Sequence, residues 1–275
     1  MIAAGILIVV VLLGVMGYVF AGYLYASSQI SAAAGAITAL DAHRSYVNTT
    51  FDLLEQQAST LGTPSDGSTG KATASSMVTE SQGLRSSLAG DDQALAAARN
   101  RLSEQQWLTS PSQGRLSAEA AHIDHGRKAI AMVKAAAVDY AFFGDFLQNY
   151  FQAIIDLDNL LTIANTSDVV GAANADSAAK ADLVKALQAS VNVAGLPNEL
   201  HDRVIDLQTY ADDWGKLINA YAIRDMTAYD AAAKAIIADD AKLKTYDPAA
   251  PVAKIKTYYQ RYRADFNLEM DKATS

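Results

Sequence analysis

The segment from Glu119 to His125 is the densest group of side chains that could bind a metal or transfer a proton. Its sequence, EAAHIDH, spaces Glu119, His122 and His125 three residues apart, so they share one face of a helix. Glu-x-x-His is half of the motif that binds two metal ions in carboxylate four-helix bundles. The second half is missing from the sequence. A weak metal site is therefore one interpretation, and a solvated polar helix face is the other.

Composition argues against several other kinds of chemistry. The chain has no cysteine, which excludes disulfides, thiolate metal sites and a cysteine nucleophile. It carries 22 Lys and Arg against 30 Asp and Glu, a net charge of -8, so a nucleic-acid partner is not expected. No catalytic motif stands out. We therefore predict a protein that is not an enzyme, with no catalytic residues and no cofactor.

The elements that would position these side chains are long helices, and the predicted fold class is all-α. After residue 27 one stripe of apolar residues advances in alternating steps of three and four, with Arg44 as its one polar position. The stripe comprises Ile30, Ala33, Ile37, Leu40, Val47, Phe51, Leu54, Ala58 and Leu61. The N-terminal helix should thus continue into an elongated bundle of long antiparallel helices.

Turn residues divide the rest of the chain. The cluster Gly62–Gly70 should end the first helix, and the second should run from about 75 to 108 with a break at Gly90-Asp91-Asp92. A third helix is predicted over about 115–164. Further helices are predicted over about 177–192, 200–221, 226–243 and 252–270. The predicted organisation is an anchor at 1–26 and bundle segments at 27–165 and 166–275, which could also form one domain.

The first 25 residues predict a membrane anchor. No charged residue occurs between Met1 and Tyr25, a run longer than the apolar part of a cleavable signal peptide. About 20 helical residues cross the hydrocarbon core, so the stretch from Ile2 to Phe20 suffices. Tyr18 and the tyrosines that follow it would lie at the aromatic belt of the interface. The bilayer is thus the predicted partner of residues 2–25, and the alternative is a signal peptide cleaved near Ala26 or among Ala32–Ala36.

Orientation rests on weaker signals. A short N-terminal tail followed by a large acidic domain favours a single-pass protein with the bulk of the chain on the extracytoplasmic side. Two N-glycosylation sequons, at Asn48 and Asn165, would be used only there.

Two further groups of side chains each allow two interpretations. The predicted third helix is aromatic on nearly every face, which suits either a buried central helix or a surface for a ligand or a second copy. A basic run near the C-terminus, from Lys254 to Arg263, could meet lipid head groups or could be an ordinary solvated face.

These features favour a membrane-anchored scaffold or interaction protein that binds a protein partner or associates with itself. The alternative is a ligand-binding or sensory bundle. Its layout, one N-terminal span followed by a helical bundle, resembles that of chemoreceptor-type input domains, and the resemblance implies a partner subunit that transmits the signal. A metal-binding enzyme is the third and weakest hypothesis.

Overall fold

The computed structural model describes residues 2–59, 66–166 and 168–275, with side chains described from Val15 onward. This part of the chain is helical and contains no strand, so the all-α prediction is confirmed. Its helices are α1 (Ile2–Ser59), α2 (Gly67–Ser87), α3 (Ala89–Leu102), α4 (Gln106–Thr109), α5 (Gln113–Ala164), α6 (Val169–Ser190), α7 (Asn198–Ile223), α8 (Met226–Lys244) and α9 (Ala249–Thr274), with a 3₁₀ turn at Ser110–Ser112.

The predicted membrane span is not detected among the described residues. Among them, no helix combines the length and the apolar character needed to cross a bilayer. The predicted stretch Ile2–Phe20 falls mostly on residues 1–14, whose side chains lie outside the described part. The anchor therefore stays a prediction.

The apolar stripe of α1 is the side of the helix that packs. Of its predicted members only Ile30 is partly exposed, and Leu61 lies outside the described residues. Arg44, the polar position, is partly buried and makes hydrogen bonds to α9. The buried members are Ala33, Ile37, Leu40, Val47, Phe51, Leu54 and Ala58. A period of 3.5 residues thus predicted this helix face correctly.

The start of α2 corrects one prediction. Gly67 to Gly70 were expected in a turn but form the first turn of α2. Asp66 explains the difference, because its carboxylate accepts hydrogen bonds from the Ser68 hydroxyl and the Thr69 amide. These bonds hold the pKa of Asp66 below its usual value. An N-cap of this kind outweighs the poor helix propensity of the glycines.

The second predicted helix, over residues 75–108, is three helices in the structure: α2, α3 and α4. The break lies at Leu88, between α2 and α3, while Gly90, Asp91 and Asp92 are helical. α3 ends at Leu102 and not near residue 108, because Gln105 adopts a left-handed backbone conformation with φ of 48°. That conformation ends a helix and turns the chain into the short helix α4.

The helices belong to two compact units that interleave along the sequence. The first comprises Met1–Thr49, Leu84–Lys134 and Tyr262–Ser275. The second comprises Thr50–Gly83 and Ala135–Arg261. The predicted division into bundle segments at 27–165 and 166–275, or into one continuous domain, stays a prediction.

Within the first unit, the order of contacts shows antiparallel neighbours. Along α1, Gln29 bonds the carbonyl of Arg101 and His43 bonds Asp91, so α3 runs in the opposite direction. Arg44 lies farther along α1 and pairs with Asp271 near the end of α9. The side chains of Leu40 on α1 and Leu95 on α3 both come within 3.3 Å of where a Cβ on Gly126 of α5 would lie. Four helices thus share one core.

Within the second unit, α6, α7 and α8 form successive antiparallel hairpins. Ser190 contacts His201 across the turn between α6 and α7, and Lys180 pairs with Asp212 farther along. Lys242 on α8 likewise pairs with Asp206 on α7. The turn between α7 and α8 uses a left-handed Arg224, and Asp225 caps α8 through the amides of the next residues. The predicted reset near Arg224 is confirmed.

Candidate functional sites

The first turns of α1 whose side chains are described are largely uncovered by the rest of the chain. Every residue from Val15 to Ala21 is exposed, although none of the seven carries a charge. Farther along the same helix the pattern changes, and Ala26, Ala33 and Ile37 are buried against other helices. A helix that is apolar on all sides needs a lipid or protein environment to cover it. Val15–Ala21 therefore form the clearest candidate interaction surface.

The short helix α4 packs against this segment. The rings of Tyr18 and Trp107 stack with their centroids 6.0 Å apart, and the Tyr18 hydroxyl donates a hydrogen bond to the Trp107 carbonyl. Gly22 permits the close approach, because a Cβ there would overlap the carbonyl oxygen of Leu108. On the opposite flank, the Arg115 guanidinium lies 5.7 Å from the centre of the Tyr23 ring. Sequence reasoning missed Trp107, since it belongs to no periodic stripe.

The predicted metal ligands separate into two pairs. Glu119 lies 3.6 Å from Nδ1 of His122, whereas His125 turns to Glu269 on α9, with Nδ1 and the carboxylate 2.7 Å apart. No cluster of three or more His, Cys, Asp or Glu that could hold a metal occurs in the described part of the chain. One oxygen of Glu119 is buried and lacks a hydrogen-bond partner there. The described residues contain no second Glu-x-x-His motif that could complete the site. The structure therefore adds no support to the metal hypothesis.

His125 and Glu269 form a hydrogen-bonded pair between α5 and α9. Hydrogen bonds from His125 first, and then from Lys272, hold the pKa of Glu269 below its usual value. Glu269 lies 144 residues from His125 along the chain, so no local spacing could have predicted the partner. The Glu269 carboxylate thus links α9 to α5, and this role is structural.

The acidic pair at the start of α3 also joins helices. Asp91 is buried, and its carboxylate lies 2.7 Å from Nδ1 of His43. Asp92 accepts hydrogen bonds from Lys134 and Arg127 on α5, and the Lys134 ammonium is the main cause that lowers the pKa of Asp92. These carboxylates do not break the helix, because each is satisfied by a neighbouring helix.

The polar position of the α1 stripe is part of a hydrogen-bond network. The Arg44 Nε donates to the side-chain oxygen of Asn267, at 2.9 Å. The amides of Asn48 and Asn267 exchange hydrogen bonds at 3.1 and 2.9 Å, and Arg263 donates to Asn48. Because the Asn48 amide is engaged and Thr50 of its sequon is buried, this sequon is poorly suited to glycosylation.

The aromatic residues of α5 mostly pack in the core of the second unit. Tyr140 is fully buried and stacks on Tyr259, with 3.8 Å between ring centroids. Phe143 and Phe146 are also fully buried, whereas Phe142 is 40% exposed. The core interpretation is confirmed for the first group, and Phe142 alone leaves an aromatic ring at the surface.

Three of the four basic residues between Lys254 and Arg263 already have partners in the chain. Lys254 pairs with Glu199 on α7, and Arg261 lies over the Tyr258 ring at 3.9 Å. Arg263 bonds Asn48, as described above. The interpretation as an ordinary solvated face fits these contacts better than a dedicated lipid-binding patch.

A cleft of about 280 Å³ lies beside α6, α7 and α8. Trp214, Tyr221 and Tyr229 line it together with Asp168. The Trp214 Nε1–H is buried and has no acceptor among the described residues. Such an unsatisfied donor is uncommon in a core and leaves a place for an acceptor.

Comparisons of the chain with protein-family models, with characterised proteins and with solved structures gave no match.

Proposed function

We propose that the chain is a single-pass membrane protein whose helical bundle serves as a scaffold or interaction component on the extracytoplasmic side. The observation that carries the proposal is the exposure of Val15–Ala21 on every face of α1. Residues 1–14 continue the same uncharged sequence toward the N-terminus. Together they supply the roughly 20 apolar residues that a bilayer requires.

An interaction role is supported by apolar side chains around the turn between α7 and α8. Tyr221, Ile223 and Met226 are all exposed there. Neighbouring apolar side chains at one end of a hairpin are typical of a surface that meets another protein. They would act together with the anchor, which confines both partners to the membrane surface.

Membrane insertion can be tested by extraction. We expect the full chain to stay in the pellet when membranes are washed with alkaline carbonate and to enter solution with detergent. An arginine at Leu12, in the predicted span, costs about 2.5–3.5 kcal/mol at the centre of a membrane helix and should release part of the protein. Ser117→Arg is the matched control, because Ser117 is exposed outside the apolar segment. Release of the unmodified chain by carbonate would refute the anchor.

Orientation can be tested by cysteine labelling, since the chain has no cysteine of its own. Ser117→Cys and Ser177→Cys each place one thiol at an exposed position of the bundle. An impermeant maleimide should label both in intact cells. Labelling that requires permeabilised membranes would place the bundle on the cytoplasmic side and contradict the proposed orientation.

Ligand binding is a second candidate function, favoured by the cleft at Trp214. Three aromatic rings and Asp168 suit an organic cation, and the free Trp214 N–H suits an acceptor on the same molecule. Glycine betaine has both groups and is a convenient probe. In a Trp107→Phe variant, which leaves Trp214 as the one tryptophan, betaine should change the emission saturably. An unchanged emission at every concentration, or the same change in a Tyr229→Ala control, would refute the site.

A further inference from the structure

The helix α4 presents a large aromatic side chain that the fold does not use. Trp107 is 68% exposed, and its contact with the chain is the stacked ring of Tyr18, itself on the exposed part of α1. The backbone around it is nevertheless fixed, because the Trp107 carbonyl accepts the Tyr18 hydroxyl and Gly22 fits against Leu108. The ring is therefore held in one place while most of its surface stays uncovered.

Trp107 does not stand alone at this level of α1. Tyr23 is half exposed and is covered on one side by the Arg115 guanidinium. We call Tyr18, Tyr23, Trp107 and Arg115 the aromatic collar. Three different segments of the first unit contribute to it, so it is a feature of the fold and not of one helix.

The dimensions of the collar match the edge of a bilayer. Tyr18 and Tyr23 are five residues apart, which is about 7.5 Å along a helix. The polar region on each side of the hydrocarbon core is about 5–8 Å thick. Tyrosine and tryptophan favour that region, and an arginine there reaches the phosphates with its guanidinium. The residues that precede Tyr18 are uncharged back to Met1, as a continuation into hydrocarbon requires.

We propose that α4 is a second contact with the bilayer, in which Trp107 inserts into the interfacial region beside α1. The inference rests on the proposed membrane anchor and adds the surface that meets the lipid. With one helix in the membrane, a bundle could rotate and tilt freely. A second aromatic residue, fixed on another segment, sets the height and the rotation of the first unit above the membrane.

The two tryptophans of the chain allow a direct test. A Trp214→Phe variant reports on Trp107, and a Trp107→Phe variant reports on Trp214 as the matched control. Each full-length variant is reconstituted into vesicles of phosphatidylcholine and phosphatidylglycerol, either plain or brominated on the acyl chains at carbons 6 and 7 or at carbons 11 and 12. We expect bromine to quench Trp107, more strongly from carbons 6 and 7, and to leave Trp214 unaffected.

The outcomes separate the inference from the proposed function. If the chain does not float with the vesicles, the anchor itself is refuted. If the chain floats but Trp107 is quenched by aqueous iodide and not by bromine, α4 faces water and the inference is refuted. Protection of Trp107 from both quenchers would also overturn it, since a second copy of the chain would then cover the ring. Circular dichroism of each variant checks that it is folded. Subtracting the fluorescence of Trp107→Phe from that of the wild type gives the emission of Trp107 in a chain that keeps Trp214.

Discussion

Two glycines of the second unit make opposite predictions for the same substitution. Gly83 on α2 is exposed, and a Cβ added there would meet nothing within 4 Å. Gly144 on α5 is buried, and a Cβ added there would lie 2.6 Å from Cγ2 of Val78 and 3.0 Å from the carbonyl oxygen of Ala74. Both positions are inside helices, so alanine brings the same gain in helix propensity to each.

That gain is about 1 kcal/mol in a helix interior. Gly83→Ala should keep it and raise the free energy of unfolding by about 0.5–1 kcal/mol. At Gly144 the added methyl group would overlap the side chain of Val78 and would also press on the Ala74 carbonyl of α2, a backbone group that cannot rotate away as a side chain could. Overpacking of this kind costs about 1–3 kcal/mol. Because the propensity gain cancels between the two variants, Gly144→Ala should be less stable than Gly83→Ala by about 1–3 kcal/mol.

The measurement is urea unfolding of the full chain in a mild detergent, followed by circular dichroism at 222 nm. Both glycines belong to the same compact unit, so they should report on the same transition. The slopes with urea should agree, which would show that the variants unfold similar surfaces. Equal midpoints, or a higher midpoint for Gly144→Ala, would refute the close packing of α2 against α5.

Three further predictions concern polar contacts, each measurable by unfolding. A double-mutant cycle between Asn48→Ala and Asn267→Ala should give a coupling of about 1–2 kcal/mol, because the two amides exchange two hydrogen bonds; a coupling near zero would contradict this. Asp92→Asn should lower the melting temperature near pH 7, since Lys134 lowers the pKa of Asp92 in the folded state; wild type should lose this advantage as the pH falls through that lowered pKa. Asp176→Asn should raise the melting temperature near pH 7, because burial raises the pKa of Asp176 in the folded state. The difference from wild type should shrink as the pH falls below that raised pKa.

The parts of the fold that could be predicted are those set by local periodicity. The seam of α1 and the extent of α5 follow from apolar spacing alone, and α5 begins at Gln113 where residue 115 was predicted. Errors arose where one contact overrode propensity. Asp66 extends α2 through Gly67, and the left-handed Gln105 ends the second helical stretch early. Such effects depend on a single side chain or dihedral angle, and a pattern averaged over several turns does not register them.

The pairing of distant segments could not be predicted in the same way. A metal site shared with its neighbours in sequence was one of two interpretations for His125; in the fold His125 contacts Glu269, and His43 contacts Asp91. A half-motif on one helix specifies a metal site only if another helix supplies the missing ligands. Within the described residues of the first unit, the facing helices supply a single carboxylate to each of these histidines, which is what an interhelical hydrogen bond needs.

The two ends of α1 differ in how far the rest of the chain covers them. Residues 15–24 and 37–54 both contain many apolar side chains, but these surround the helix in the first stretch and form one stripe in the second, which also carries charged residues. In the fold, Leu40 and Phe51 are fully buried, whereas Phe20 is 65% exposed. A contiguous exposed apolar segment such as Val15–Ala21 is typical of a surface that a lipid or another protein covers, which is the role proposed for it above. Trp107 lies beside the uncovered end of α1, where its ring stacks on Tyr18.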